Sequence, residues 1–239
     1  MSGHSKWSTI KRQKGVADAK RGKIFTKLTR AITVAAKSGA DPESNPRLRI
    51  EVDRARAANM PKENVARAIA KAQGAGDGVQ LEEVVYEAFG PGNVAILIKT
   101  ITDNRNRTAT DVKNALTKNG GRLLEVNSIS WQFESKGVIQ LPLPDVKTKE
   151  ELELSLIEAG AQDINEVENN LIIICPVNRF EKIKTLLLEK KLTPEYSEIE
   201  LVSNALVTVD DENVRARLDS LKEVLDNIDD VDNIYTNEN

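Results

Sequence analysis

Residues 137–202 read GVIQLPLPDVKTKEELELSLIEAGAQDINEVENNLIIICPVNRFEKIKTLLLEKKLTPEYSEIELV. Two periodicities take turns along them. GVIQLPL, DINEVE, NLIIICPV and EYSEIELV show the two-residue alternation or short apolar runs of strands. KEELELSLIEAG and FEKIKTLLLEKK repeat apolar residues at helical spacing instead. The order is βαββαβ, the split arrangement of a ferredoxin-like fold. It predicts a self-contained α/β domain over 136–202.

On the C-terminal side, ALVTVD, ENVRARLDSLKEVLDNI and VDNIYTN read as strand, helix and strand, too little to cover their own sheet. On the N-terminal side, EVVYEAF and NVAILIKTIT read as strands joined through GPG. RTATDVKNALTKN follows as a helix closed by Gly120-Gly121 in a left-handed cap, and SISWQF reads as a further strand. Residues 203–239 are therefore expected to fold back onto 81–135, with 136–202 inserted. Ahead of the GAGDG linker the period is helical. Ile24, Leu28, Ala31, Ile32 and Ala35 mark a first helix. Asn45-Pro46 caps a second, which buries Leu48, Val52 and Ala55. Pro61 starts a third, with Val65, Ala68, Ile69 and Ala72 facing inward. The expected class is α+β in three domains: an arm and all-α unit over 1–80, a discontinuous α/β domain over 81–135 plus 203–239, and the inserted domain.

Charge is divided along the same lines. The chain of 239 residues has net charge -3. Residues 1–80 hold 17 basic and 7 acidic side chains, whereas 81–239 hold 17 and 30. Ten cations and one acid, Asp18, fall within residues 1–40. Solvated helices ordinarily mix signs, and bunched cations repel unless a polyanion neutralises them. Lys20, Lys23, Lys27 and Arg30 recur at 3, 4, 3 and share one helical stripe. Ahead of them His4, Lys6, Trp7, Lys11, Arg12 and Lys14 form a polar, basic arm, with Arg21 beside the stripe. An indole there can stack on an unpaired base or pack back onto the helices. A second candidate site is TDNRNRT at 102–108, where a strand ends and a helix begins. Arg105 and Arg107 would stand there beside free backbone N–H groups. The bland alternative is a capped turn with exposed arginines.

Catalytic chemistry finds little support. His4 lies in the arm, with nothing to fix its tautomer. Cys175 lies in the apolar run LIIICP, where a buried structural thiol is expected. One cysteine and one histidine cannot build a zinc site of the usual kind. Asp210-Asp211 precede a helix and read as its cap, and Asp229-Asp230 alone do not make a metal site. No phosphate-cradling glycine motif occurs. The expectation is a non-enzyme with no cofactor, metal or small-molecule substrate. There is no apolar run of membrane length and no secretory leader pattern, and a single cysteine suits a reducing cytoplasm.

Taken together, GHSKW, DAKRGKIFTKLTRAI, NPRLR, ANMPKENVARAI, YEAFGPG, TDNRNRT with KNGG, and DDVDNIY resemble the YebC/PmpR family. The resemblance implies a helical N-terminal domain followed by two α/β domains. It also implies one of two activities. Members have been described as transcriptional regulatory proteins that bind DNA. They have also been described as ribosome-associated factors that ease translation through proline runs, and a mitochondrial relative activates translation of a cytochrome oxidase subunit. In a DNA regulator Lys62, Arg67 and Lys71 on the third helix would be the groove readers. The lysine-rich arm suits structured rRNA better, since its cations position without specifying. The expected partner is therefore rRNA or the ribosome, with promoter DNA as the alternative, for a cytoplasmic monomer.

Overall fold

A computed structural model describes residues 18–74, 80–143, 146–167 and 169–238. Its described residues fall into two compact units, 131–206 and the remainder. The class is α+β.

The first of these units is the βαββαβ domain. Its elements are β4 (Phe133–Pro142), α5 (Val146–Ala159), β5 (Asp163–Val167), β6 (Asn170–Pro176), α6 (Val177–Glu189) and β7 (Tyr196–Ser203). The sheet order is β5-β6-β4-β7, with every neighbouring pair antiparallel. Ile139, Leu141, Leu171, Ile173 and Cys175 point from the sheet to Leu152, Leu156, Phe180, Ile183 and Leu187 of the helices. Strand β4 can approach α6 because Gly137 has no side chain. A methyl group there would enter the Phe180 ring and stand 2.8 Å from Cys175 Sγ. The Cys175 thiol is buried, and burial pushes its pKa up to about 11.

The other unit begins with α1 (Asp18–Ala36), α2 (Pro46–Ala57) and α3 (Lys62–Ala72). Asn45 caps α2 by accepting from the Leu48 N–H, with Pro46 at the first helical position, and its amide also donates to Ala35 and Gly39 carbonyls. The bundle closes around Leu28, Ile32, Ala35, Leu48, Ala55, Met60 and Ala68.

Next come β1 (Glu82–Phe89), β2 (Ala95–Thr102), α4 (Arg105–Lys118), β3 (Arg122–Leu123), α7 (Glu212–Asp226) and β8 (Val231–Thr236). Their sheet runs β3-β1-β2-β8, again antiparallel throughout. Strand directions thus alternate as in the first sheet, but the chain visits the strands in a different sequence. Helices α4 and α7 cover one face through Val112, Leu116, Leu218, Leu221 and Leu225 against Ile96, Ile98 and Val231. Gly120 takes a φ of 76° after α4, and the Gly121 N–H returns to the Leu116 carbonyl. The carboxylate of Glu87, on the opposite face, accepts from the N–H groups of Asn127, Ile129 and Ser130 and so anchors the 124–130 loop. Burial raises its pKa, but these three donors outweigh burial and hold it below the usual range.

Three strand expectations change. Residues 205–210 form no strand; Val207 makes only an isolated parallel bridge to Glu238. Ser130–Gln132 is a single 3₁₀ turn, so SISWQF is not a strand, and β4 starts at Phe133. The two-residue β3 went unforeseen, being too short to show a period.

Candidate nucleic-acid interface

His4, Lys6, Trp7, Lys11, Arg12 and Lys14 lie outside the described residues. Lys20 falls in the first turn of α1, and Arg21 is exposed one residue further on. The rest of the stripe runs along the α7–β8 turn. Lys23 Nζ lies 3.5 Å from the Asn227 carbonyl and side-chain oxygens. Lys27 Nζ donates to the Asp226 carbonyl and carboxylate, both at 2.8 Å. These carbonyls belong to the end of α7, where unpaired C=O groups and the helix dipole favour cations. Arg30 Nη1 donates to the Asp229 carbonyl at 2.8 Å and to Asp230 Oδ1 at 2.5 Å.

The second candidate site arrives at the same carboxylate. Asn104 caps α4 by accepting from the Arg107 N–H. That places Arg107 Nη2 2.7 Å from Asp103 and 2.8 Å from Asp230 Oδ2. Thr108 and Thr102 donate hydroxyl bonds to the same Oδ2, at 2.6 and 3.2 Å. Two arginines that lie 77 positions apart in the sequence therefore share one buried carboxylate, an arginine on each oxygen. Burial raises the pKa of Asp230, but Thr108, Arg107 and Arg30 outweigh it and hold the carboxyl below its ordinary value. The bonds to Asp230 and Asp103 in turn raise the pKa of Arg107. Neither arginine is enclosed. Side-chain exposure is 24% for Arg30 and 47% for Arg107, and Arg105, 3.8 Å from Glu82, is 63% exposed.

The seam continues along α2. Arg47 pairs with Glu83, and Arg54 pairs with Glu51 at 2.8 Å and lies 3.9 Å from Asp232. Lys99 on β2 stands 3.3 Å from Glu83 and 3.5 Å from Asp232. Burial lowers the Lys99 pKa, yet the facing carboxylates, Asp232 foremost, leave it raised. Apolar contact across this seam is small: Ala31 and Val34 of α1 against Leu81 and Ile101. On α3, Lys62, Arg67 and Lys71 are exposed, as are Glu63, Ala66 and Ala70 between them. The Gln73 amide that follows donates to the Ala36 carbonyl.

Sequence reasoning found the cations but not Asp226 and Asp230, which gather them. The only signal was the acid pair in DDVDNIY, and nothing local to it says what it faces. Among the described residues no group of three or more His, Cys, Asp or Glu is placed to hold a metal ion. No described helix is long and apolar enough to cross a membrane.

These elements define an α+β protein in which a cationic three-helix bundle is joined by ion pairs to an acid-rich α/β body. The chain belongs to the TACO1/YebC family: residues 5–75 match the TACO1/YebC protein N-terminal domain and 81–238 match the TACO1/YebC second and third domain. A protein of Geotalea uraniireducens named "Probable transcriptional regulatory protein" is 44% identical over 99% of this chain and 95% of its own length. A similarly named protein of Geobacter sulfurreducens is 45% identical over the same shares. The crystal structure of a conserved hypothetical protein from Aquifex aeolicus superposes with a TM-score of 0.83, at 39% identity over 93% of this chain and 91% of that one.

Proposed function

We propose that this chain is a non-enzymatic, nucleic-acid-binding regulator of gene expression. It acts as a cytoplasmic monomer without a cofactor, on rRNA or the ribosome, easing translation where proline runs stall it. The observation that carries this reading is the concentration of ten cations against one acid in residues 1–40 of an acidic chain. The arm residues His4, Lys6, Trp7, Lys11, Arg12 and Lys14 would enter folded RNA. Lys20, Arg21, Lys23, Lys27, Arg30, Arg105 and Arg107 would follow its backbone. Sequence readout in a DNA major groove rests on amide or guanidinium forks held against base edges. The exposed face of α3 supplies two lysines, one arginine, an acid and alanines, and the Gln73 amide is engaged with Ala36. Such a face grips phosphates more readily than it specifies bases.

The second reading, a promoter-binding transcriptional regulator, is favoured by the names of the relatives. Competition at physiological salt separates the two. Labelled promoter duplex is challenged with random duplex and with ribosomes. The translational reading expects discrimination among duplexes well below the ~1000-fold of a specific regulator, and displacement by ribosomes. A strong promoter preference that ribosomes cannot displace would overturn it.

A further inference from the structure

Three of the cations assigned above to nucleic acid, Lys23, Lys27 and Arg30, also hold the bundle to the sheet domain, and they cannot do both at full strength. Arg30 and Arg107 each place a guanidinium on Asp230, and Lys27 sits on Asp226. The bundle core and the sheet core are separate apolar clusters, and Ala31, Val34, Leu81 and Ile101 form a small buried cluster between them. We propose that Asp230 is a counter-ion latch: it docks α1 onto the α7–β8 turn through Arg30 while Arg107 of α4 holds its other oxygen, and a nucleic-acid backbone engaging the two arginines releases it. The proposal rests on the nucleic-acid reading above.

A phosphodiester offers a guanidinium two oxygens in the fork geometry that a carboxylate offers. Arg107 is about half exposed and Arg30 a quarter, so a phosphate can reach both without prior opening. Once it is there, phosphate and Asp230 are like charges crowded around shared cations, and one of them must give way. Asp230 sits on the Ile228–Val231 turn, and its carbonyl accepts from the Ile101 N–H. A carboxylate that loses its arginines therefore loosens the turn that leads into β8. Linkage makes the effect reciprocal: whatever undocking adds to nucleic-acid affinity, nucleic acid adds to undocking. Thr102 and Thr108 remain as donors to the freed carboxylate, which suits a reversible catch better than a fixed strut.

Two measurements on the full-length protein test this, with purified large-subunit ribosomal RNA as probe. The first is hydrogen exchange of the wild type with and without saturating RNA. The latch expects faster exchange in residues 226–232, against the usual protection on binding. Unchanged or slower exchange there would overturn it. The second compares RNA affinities of Asp230→Asn and Asp229→Asn. Both remove one negative charge, but Asp229 offers Arg30 only its carbonyl. Asp230→Asn should bind about five- to tenfold tighter than wild type, the value of about one charge-assisted bond, and Asp229→Asn less than about twofold tighter. Equal effects of the two would reduce the latch to net charge and overturn it. Failure of the wild type to bind RNA or duplex DNA at all would overturn the nucleic-acid reading and the latch together. Binding with an unresponsive turn would overturn the latch alone.

Discussion

Inside the bundle, Ile32, Leu48 and Ala55 are fully buried among apolar neighbours, and the same holds for Ile96, Ile98 and Leu218 beneath the β3-β1-β2-β8 sheet. Where bundle meets sheet the materials reverse: Lys27, Arg30 and Arg54 of the bundle face Asp226, Asp230 and Asp232, Arg107 and Lys99 of the sheet domain share Asp230 and Asp232, and a cluster of four buried apolar side chains lies there too. Apolar burial is not screened by salt and is nearly insensitive to pH, whereas ion pairs are screened by salt and titrate with pH. The parts and their docking therefore respond to different conditions. The stripe cations lie where internal acids hold them.

The largest effect should come from breaking a core. Ile32→Ala empties a fully buried site in the bundle and is expected to cost about 2–5 kcal/mol. In urea, hydrogen exchange of α1–α3 should collapse well before that of the two sheets. A loss shared equally by all three would mean that bundle and sheets unfold as one body.

The seam should be weaker but still costly to damage. Asp230→Ala leaves two arginines without their shared counter-ion and removes the acceptor that the Thr102 and Thr108 hydroxyls share. The cost expected is about 2–4 kcal/mol, read as the urea midpoint. A change under about 0.5 kcal/mol would show that the node is solvated rather than structural.

Acid offers a gentler way to open the same seam. The Asp230 carboxyl is held below its ordinary value by Thr108, Arg107 and Arg30. Its contribution is therefore fully present above the unfolded carboxylate value of about 4 and is lost as pH falls through the folded one. Glu87, depressed by its three backbone donors, acts in the same window on the 124–130 loop. Stability should fall from about pH 4 downward, and less steeply in Asp230→Asn than in wild type. Equal slopes would assign the acid sensitivity elsewhere.

Arg107→Lys should matter least. It keeps the charge but loses the planar guanidinium whose Nη2 reaches Asp103 and Asp230 together. At a half-exposed position about 0.5–1 kcal/mol is expected, and salt should narrow the difference.

Much of the fold was legible because its signals are local. Asn45-Pro46 and Gly120-Gly121 mark helix ends by their own chemistry, and Asp211 caps α7 as the acid pair before it suggested. The alternation of periods over 137–202 carried the βαββαβ order. Strands without a period of their own were not legible. β3 has two residues, and 205–210 alternates like a strand yet forms no strand, Val207 making an isolated bridge to Glu238. The stripe of Lys23, Lys27 and Arg30 was visible in its spacing, but its destination was not. Arg30 and Asp230 are 200 positions apart, and only the folded sheet and α7 bring them together. The same distance hid the convergence of Arg107 on that carboxylate, since a capped turn with exposed arginines reads identically in sequence.

The salt dependence of nucleic-acid affinity tests most directly whether the basic end is the binding end. Wild-type protein titrated with duplex over a range of ionic strengths should give a log–log slope of about -5, for about six neutralised phosphates. Replacing Lys6, Lys11, Arg12 and Lys14 together with glutamine should bring the slope to about -2 and weaken binding by at least about tenfold. A wild-type slope near zero, or a variant with unchanged slope and affinity, would contradict the account.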